Sequence, residues 1–155
     1  MELFLMRHAD AEMRARDDFS RVLTEKGQRQ TEKMAAWLKR LGVSPEKVVT
    51  SPYLRARETA ELMARELSSP PPQVAEGLAS GMTVASGCSL IHEHASPDSS
   101  LFLVGHTPDL DRLASHLLGA KDIVVEMRKA AVAHLEMTRS GFAGSVLRWL
   151  INPKL

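Results

Sequence analysis

Cysteine, long apolar runs and an excess of either charge are all missing from this chain of 155 residues. Cys88 is the only cysteine, so no disulfide can form within the chain, which favours a reducing, cytoplasmic compartment. No run of about 18 apolar residues is present, so the sequence predicts no membrane span. The apolar stretch at the N-terminus is also too short for a secretion signal. We therefore expect a cytoplasmic protein without a membrane partner.

Positive and negative side chains almost cancel. Lysine and arginine together number 20 and aspartate and glutamate 19, which leaves a formal net charge of +1. Such a chain lacks the bulk charge that coats nucleic acid, so we expect no nucleic-acid partner. An anionic ligand would have to be held by a local cluster of cations. Hydrophobic residues make up 44% of the chain, which is typical of a single globular domain, here spanning residues 1–155.

Hydrophobic patterning predicts strands and helices in alternation. Short apolar runs predict three buried strands, at Leu3–Met6, Lys47–Thr50 and Leu101–Val104. Helix-start signals follow these strands, at Thr24, Ser51-Pro52 and Thr107-Pro108. An apolar stripe marks the first of the helices, formed by Met34, Trp37, Leu38 and Leu41.

The rest of the chain predicts a connection and then a hairpin. Ser68–Ser100 is rich in proline, glycine and small residues, so we interpret it as mostly connection, with a short helix at Val84–His94. Alternating apolar residues predict strands at Ala131–Met137 and Ser145–Ile151, joined by a turn at Arg139-Ser140-Gly141. This order of elements predicts a three-layer α/β/α fold with a mainly parallel central sheet and a C-terminal antiparallel hairpin. The segment after Leu67 is too short for a large cap.

Polar clusters follow three of the predicted strands, at Arg7-His8, Ser51–Arg55 and Gly105-His106. Ligands of open α/β sheets bind at the carboxyl ends of the strands, so these side chains can meet in one crevice. The arginine fork matches phosphate oxygens, and a neutral histidine nitrogen is a competent nucleophile. Gly105 lets the backbone come close to a ligand. Each residue alone is more simply explained as surface or packing, but together they favour a tetrahedral anion.

Three motifs resemble those of the histidine phosphatase superfamily, the phosphoglycerate-mutase-like enzymes. Arg7-His8-Ala9 resembles the Arg-His-Gly signature of that superfamily, with alanine in place of the more frequent glycine. Ser51–Ala60 resembles its second motif, and Val104-Gly105-His106 resembles its third. The short chain, the Leu23–Gly27 motif and the ending Trp149–Leu155 resemble the SixA branch, the small protein-phosphohistidine phosphatases.

The resemblance implies a phosphoglycerate-mutase-like fold and a metal-independent phosphatase that needs no cofactor. By the same resemblance, His8 is the nucleophile that becomes phosphorylated. Arg7, Arg55 and His106 hold the phosphoryl oxygens, with Gly105 beside them as a further substrate-binding residue. The implied substrate is phosphohistidine on a protein, such as a phosphotransfer domain or a phosphocarrier.

A general acid is harder to identify in the sequence. Larger members of the superfamily supply a carboxylate to the leaving oxygen and insert a cap over the site. Glu76 is the first acid in the equivalent segment here, although a solvated surface position is its more ordinary interpretation. Two alternatives to the phosphohistidine phosphatase stay open: a small-molecule phosphomonoesterase of the same fold, and a non-catalytic module that binds phosphoproteins.

Overall fold

Strands and helices alternate through most of the chain, which ends in two further strands. In the computed structural model, which describes residues 1–138 and 144–154, the strands are β1 (Glu2–Arg7), β2 (Lys47–Thr50), β3 (Gln73–Val74), β4 (Ser100–Gly105), β5 (Val132–Glu136) and β6 (Val146–Ile151). The helices are α1 (Glu25–Arg40), α2 (Leu54–Glu66), α3 (Val84–His94) and α4 (Asp109–Leu117), with a 3₁₀ helix at Glu76–Leu78. Within the described ranges, no helix is long and apolar enough to cross a membrane.

The strands form one sheet in the order β3-β2-β4-β1-β5-β6. β1 pairs in parallel with β4, and β4 in turn pairs in parallel with β2. β5 runs antiparallel to both β1 and β6. This arrangement confirms the mainly parallel sheet with a C-terminal hairpin. The turn predicted at 139–141 lies outside the described residues.

Two apolar cores fill the space on either side of the sheet. Side chains of β1 alternate between them, because successive residues of a strand point to opposite faces. Phe4 and Met6 join the core beneath α1 and α2, while Leu3 and Leu5 join the core beneath α3 and α4. The predicted three-layer α/β/α architecture is thereby confirmed.

The apolar stripe of α1 is narrower than predicted. Met34 and Leu38 are buried against the sheet, but Trp37 and Leu41 are about half exposed. The two pairs lie on neighbouring rows of the helix surface, separated by about 60° around the axis. Because a flat sheet covers only one side of the helix, the second row stays at the edge of the core.

The start of α2 also differs from the prediction. Tyr53 caps the helix, without a side-chain hydrogen bond, and Leu54 is its first residue. The Ser51 hydroxyl, expected as the cap, accepts a hydrogen bond from the Tyr53 N–H at 3.2 Å and also contacts the ring of His106. A contact with a residue far along the chain therefore replaces the local capping contact.

The segment between α2 and β4 contains more structure than a connection. Its predicted helix is confirmed as α3, but β3 and the 3₁₀ helix were not predicted. β3 is two exposed residues long and extends the sheet beside β2, so its pairing has no hydrophobic signature. Leu78 and Ile91 bury their side chains in the core beneath α3 and α4. The segment thus packs onto the sheet and forms no large cap.

Candidate active site

The side chains singled out in the sequence come together at the carboxyl edge of the sheet. Arg7 ends β1 and His8 follows it, while Gly105 ends the neighbouring β4 and is followed by His106. The backbone N–H of His8 donates to the carbonyl of Gly105 at 3.0 Å, which joins the two strand ends. Arg55 reaches the same place from the first turn of α2. Topology therefore builds one pocket from three distant segments.

Arg55 lies at the centre of this pocket and is only 4% exposed. Its Nε donates to Nε2 of His8 at 3.3 Å, and its Nη2 lies 3.5 Å from Nδ1 of His106. On its other side the guanidinium donates to Asp18, to the backbone oxygen at 2.8 Å and to the carboxylate at 3.2 Å. One cation thus contacts both histidines and holds an anionic group beside them.

His8 is held in one neutral form. Burial lowers its pKa to about 3, and the nearby positive charges act in the same direction, although a hydrogen bond to the Ala9 carbonyl opposes the shift. Its Nδ1 lies 2.7 Å from that carbonyl oxygen. A carbonyl can only accept, so Nδ1 must carry the ring proton. Nε2 therefore keeps its lone pair, on the side of the ring that faces Arg55.

His106 is neutral for the same main reason. Burial lowers its pKa to about 4, and the positive charge of Arg55 contributes further. Its Nε2 lies 2.7 Å from the Ser51 hydroxyl. An arginine N–H can only donate, so Nδ1, which lies 3.5 Å from Arg55, is the accepting nitrogen, and Nε2 carries the ring proton and donates to the Ser51 hydroxyl. Ser51 was not predicted as a site residue, because its place before α2 has the pattern of a helix cap.

Arg7 is held in place from the face of the sheet that α4 covers. Its Nη1 donates to the carbonyl oxygen of Met127 at 3.1 Å, and the N–H of Met127 donates to Asp111 at 3.1 Å. Asp111 belongs to α4, so this helix positions Arg7 through the loop before β5. The Arg7 Nε is buried and has no hydrogen-bond partner among the described residues.

The loop between β1 and α1 supplies a second residue that was not predicted. Asp18 lies in a stretch whose charged, irregular composition indicates an exposed loop, yet its carboxylate pairs with the buried Arg55. A hydrogen bond from Arg21 lowers the pKa of Asp18, and the charge of Arg55 adds to the effect, so the group is ionised. The N–H of Leu54 donates to the carbonyl of Phe19 at 3.0 Å, which fastens the loop to the start of α2.

Ala9, the departure from the glycine of the family signature, fits its surroundings. Its side chain is fully buried, and its N–H donates to the Thr59 hydroxyl at 3.1 Å. The same hydroxyl donates to the carbonyl of Arg55 at 2.7 Å. Thr59 therefore couples the loop that carries His8 to the helix that carries Arg55.

Among the described residues, no Asp or Glu side chain forms a hydrogen bond with His8 or His106. Glu76 is exposed at the start of the 3₁₀ helix and has no hydrogen bond to the pocket residues described above. Over residues 1–138 and 144–154, no group of three or more His, Cys, Asp or Glu is placed to hold a metal ion.

A sequence profile of the histidine phosphatase superfamily (branch 1) matches residues 3–81, the stretch that contains Arg7, His8 and Arg55. A full-length relative supports the match: an uncharacterized protein of Picosynechococcus is 40% identical over 92% of this chain and 87% of its own length. The chain belongs to the histidine phosphatase superfamily. Membership explains why an arginine and two histidines from distant segments converge on one pocket.

Similar proteins within the superfamily include SixA proteins. Phosphohistidine phosphatase SixA of Escherichia coli is 29% identical over 99% of this chain and 94% of its own length. A solved structure of the protein histidine phosphatase SixA complexed with tungstate superposes with a TM-score of 0.84 at 29% identity, and the match covers 98% of this chain and 97% of that chain. The chain therefore resembles SixA proteins over its full length in both sequence and fold.

Proposed function

We propose that this member of the superfamily is a phosphatase that removes phosphate from phosphohistidine on a protein, with His8 as the transient phosphate carrier. The main support is the orientation of the His8 ring. Its Nδ1–H is bound to the Ala9 carbonyl, so the lone pair of Nε2 faces Arg55. A nucleophile and a phosphate-binding cation thus share one side of the pocket. The resemblance to SixA proteins supports the same substrate class.

The reaction proceeds in two displacements at phosphorus. In the first, the lone pair of His8 Nε2 forms a bond to phosphorus while the bond to the substrate nitrogen breaks, and the electron pair leaves with the substrate imidazole. In the second, water attacks phosphorus, the bond to His8 breaks with its electron pair returning to Nε2, and the water proton passes to solvent as inorganic phosphate forms. His8 regains its neutral form, and neither step includes a metal ion or another cofactor.

Charge on the transferring group is balanced by the donors around it. Phosphoryl transfer depends chiefly on positioning and on neutralising the three equatorial oxygens. Arg55 and Arg7 supply guanidinium N–H groups. His106 supplies an Nδ1–H once a phosphoryl oxygen takes over the Arg55 N–H and the Ser51 hydroxyl donates to the His106 Nε2. A Cβ at Gly105 would face Leu110 at 3.6 Å, so this residue contributes through its backbone, whose carbonyl accepts from the His8 N–H at 3.0 Å. The two guanidinium groups are in place before the substrate arrives, which lowers the cost of reorganisation.

The protonation state of the carboxylate beside Arg55 decides which leaving groups the pocket can assist. An alkyl phosphate expels an oxygen whose conjugate acid has a pKa comparable to that of water, about 15.7, so it needs an acid. A phosphohistidine expels a neutral imidazole once its other nitrogen is protonated. The conjugate acid of that imidazole has a pKa of about 6.5. Asp18 is ionised and cannot donate a proton. The pocket is therefore better suited to P–N bonds than to alkyl P–O bonds.

A substrate series at one pH tests the proposal. We expect kcat/KM to fall from a phosphohistidine protein to nitrophenyl phosphate and then to phosphoserine or phosphoglycerate. His8→Ala should lose turnover by roughly 10⁴-fold or more, as expected for a lost nucleophile. Brief mixing of the native enzyme with substrate should leave an acid-labile, base-stable phosphate on the protein. His92→Ala, at an exposed position of α3, is the matched control and should behave like the native protein.

Three results would contradict the proposal. Equal turnover of alkyl phosphates would indicate a small-molecule phosphatase with an active general acid, for which Glu76 is the residue to vary first. Tight binding of a phosphoprotein without turnover would indicate a non-catalytic binding module. Loss of activity in EDTA, restored by a divalent ion, would place a metal in the reaction.

A further inference from the structure

Beside the pocket lies a surface depression of about 370 Å³ in which cations predominate. Its lining residues are Arg7, Lys26, Gln30, Arg128, Lys129, Pro153 and Lys154. None of the described residues that line it is acidic. We call four of the cations, Lys26, Arg128, Lys129 and Lys154, the basic rim. Arg7 belongs both to the depression and to the strand end that carries His8, so the basic rim adjoins the pocket.

Three segments of the chain bring the basic rim together. Lys26 lies in the first turn of α1, Arg128 and Lys129 precede β5, and Lys154 follows β6. Hydrogen bonds hold the last of these segments in place. The N–H of Arg128 donates to the Asn152 side chain at 3.0 Å, and the Lys33 ammonium donates to the carbonyl of Lys154 at 2.8 Å. The rim cations therefore project from a braced backbone.

Positive charge outweighs negative charge at this place, where Asp10 interacts with both Lys129 and Lys26. Lys129 is paired with Asp10 at 2.5 Å, and the second oxygen of that carboxylate accepts from Thr24. By contrast, no described acid forms an ion pair with Lys26, Arg128 or Lys154, all of which are exposed. Lys26 also lies at the positive end of the α1 dipole, where a cation is disfavoured unless an anion joins it. In a chain whose net charge is only +1, this concentration of charge is local.

We propose that the basic rim binds acidic side chains that surround the phosphohistidine on the protein substrate. This inference rests on the proposed function and adds a preference for the partner. The phosphoryl group itself is accounted for by the pocket, so the rim recognises a second, separate negative charge. An exposed positive surface next to a reactive pocket attracts acidic partners, raises their association rate and rejects basic ones.

Paired peptides test this preference directly. One phosphohistidine peptide carries glutamates around the phosphohistidine, and a second carries glutamines at the same positions. We expect the native protein to favour the acidic peptide, in kcat/KM, by about tenfold at low salt, and the preference to shrink as salt screens the charges. The variant Lys26→Glu with Arg128→Glu should abolish or reverse that ratio. Turnover of the glutamine peptide measures the activity of the pocket in each variant on the same scale.

Lys39→Glu with Arg40→Glu provides the matched control. These residues lie at the other end of α1, away from the carboxyl edge of the sheet, and the variant changes the net charge by the same amount. It should keep the preference for the acidic peptide. A native ratio near one, or a ratio that survives in the Lys26/Arg128 variant, would overturn the proposal. Inorganic pyrophosphate could also inhibit the native protein but not the Lys26/Arg128 variant, while neither shows a peptide preference. That result would overturn the proposal in favour of a small bisphosphate ligand.

The same peptides separate a failure of the rim from a failure of the proposed function. If neither phosphopeptide is hydrolysed, the phosphohistidine activity is wrong, and the rim is then tested by binding of the unphosphorylated acidic peptide. Binding at low salt that is lost in the Lys26/Arg128 variant would support the rim on its own. Equal binding by the native protein and that variant would overturn it.

Discussion

The pocket and the basic rim lie side by side but are built in opposite ways. In the pocket, Arg55 and two histidines are almost completely buried, and burial keeps both rings neutral. In the rim, Lys26 and Arg128 are exposed to solvent. In the proposed function, the buried, fixed donors act on the phosphoryl group of any substrate, whereas the exposed cations act on the surface around it. The comparison suggests that chemistry and partner choice can be changed separately.

Removal of Arg55 should give the largest effect and should not depend on the peptide. Loss of one preorganised donor to a developing oxyanion typically costs about 10²–10³-fold in rate. We therefore expect Arg55→Ala to lower kcat/KM by that factor for the acidic and the neutral phosphohistidine peptide alike. Arg57→Ala, at an exposed position on the same helix, is the control. A loss confined to the acidic peptide would break the division between pocket and rim.

Acid should lower the free energy of unfolding through the two histidines of the pocket, whereas the rim cations should not contribute to this pH dependence. The pKa values of His8 and His106 are about 3 and about 4 in the folded protein, below the ordinary value of 6.5. The unfolded chain therefore binds protons at these rings at a higher pH than the folded chain, and the free energy of unfolding falls as the pH drops below about 6.5. At about pH 5 the loss is about 2 kcal/mol per histidine.

Denaturant titrations over this pH range measure the effect. His8→Asn should lose about half of the pH dependence, because one of the two buried rings is gone. The Lys26/Arg128 variant should keep the native dependence, since lysine and arginine do not titrate in this range. An unchanged slope in His8→Asn would show that this ring is protonated as easily in the folded protein as in the unfolded chain.

The sequence was sufficient to predict which side chains meet in the pocket, because each lies at or next to the end of a strand or in the first turn of the helix that follows one. Arg7-His8 and Gly105-His106 each adjoin an apolar run, and the parallel topology then brings them to one edge. The basic rim was not predicted, because its cations come from three distant segments and the balanced composition conceals them. Ser51 and Asp18 were missed for a related reason: each acts through a partner far away in the chain, while its local pattern indicates a cap or a solvated loop.

Asp18 is the acidic residue at the mouth of the pocket, and it should give the smallest effect. Its carboxylate occupies one side of the Arg55 guanidinium, where an incoming phosphoryl oxygen would also bind. The Asp18 side chain is 58% exposed, so its ion pair is worth at most about 1 kcal/mol, or roughly fivefold in an equilibrium constant. We expect Asp18→Asn to strengthen inhibition by inorganic phosphate by up to that factor, because the competing anion is removed.

Inhibition constants for inorganic phosphate, measured with the neutral phosphohistidine peptide as substrate, test this competition. Asp17→Asn is the matched control, since Asp17 has an exposed carboxylate in the same loop that bonds to the N–H of Ser20 and not to Arg55. An asparagine side chain keeps the shape of the aspartate, and the backbone oxygen of residue 18 still accepts from Arg55, so the loop should stay in place. Weaker phosphate binding in Asp18→Asn would mean that the carboxylate orients Arg55 for the substrate instead of competing with it. In that case an acidic group belongs to the pocket itself, and the contrast between a phosphate-binding pocket and a charge-selecting rim would have to be redrawn at Asp18.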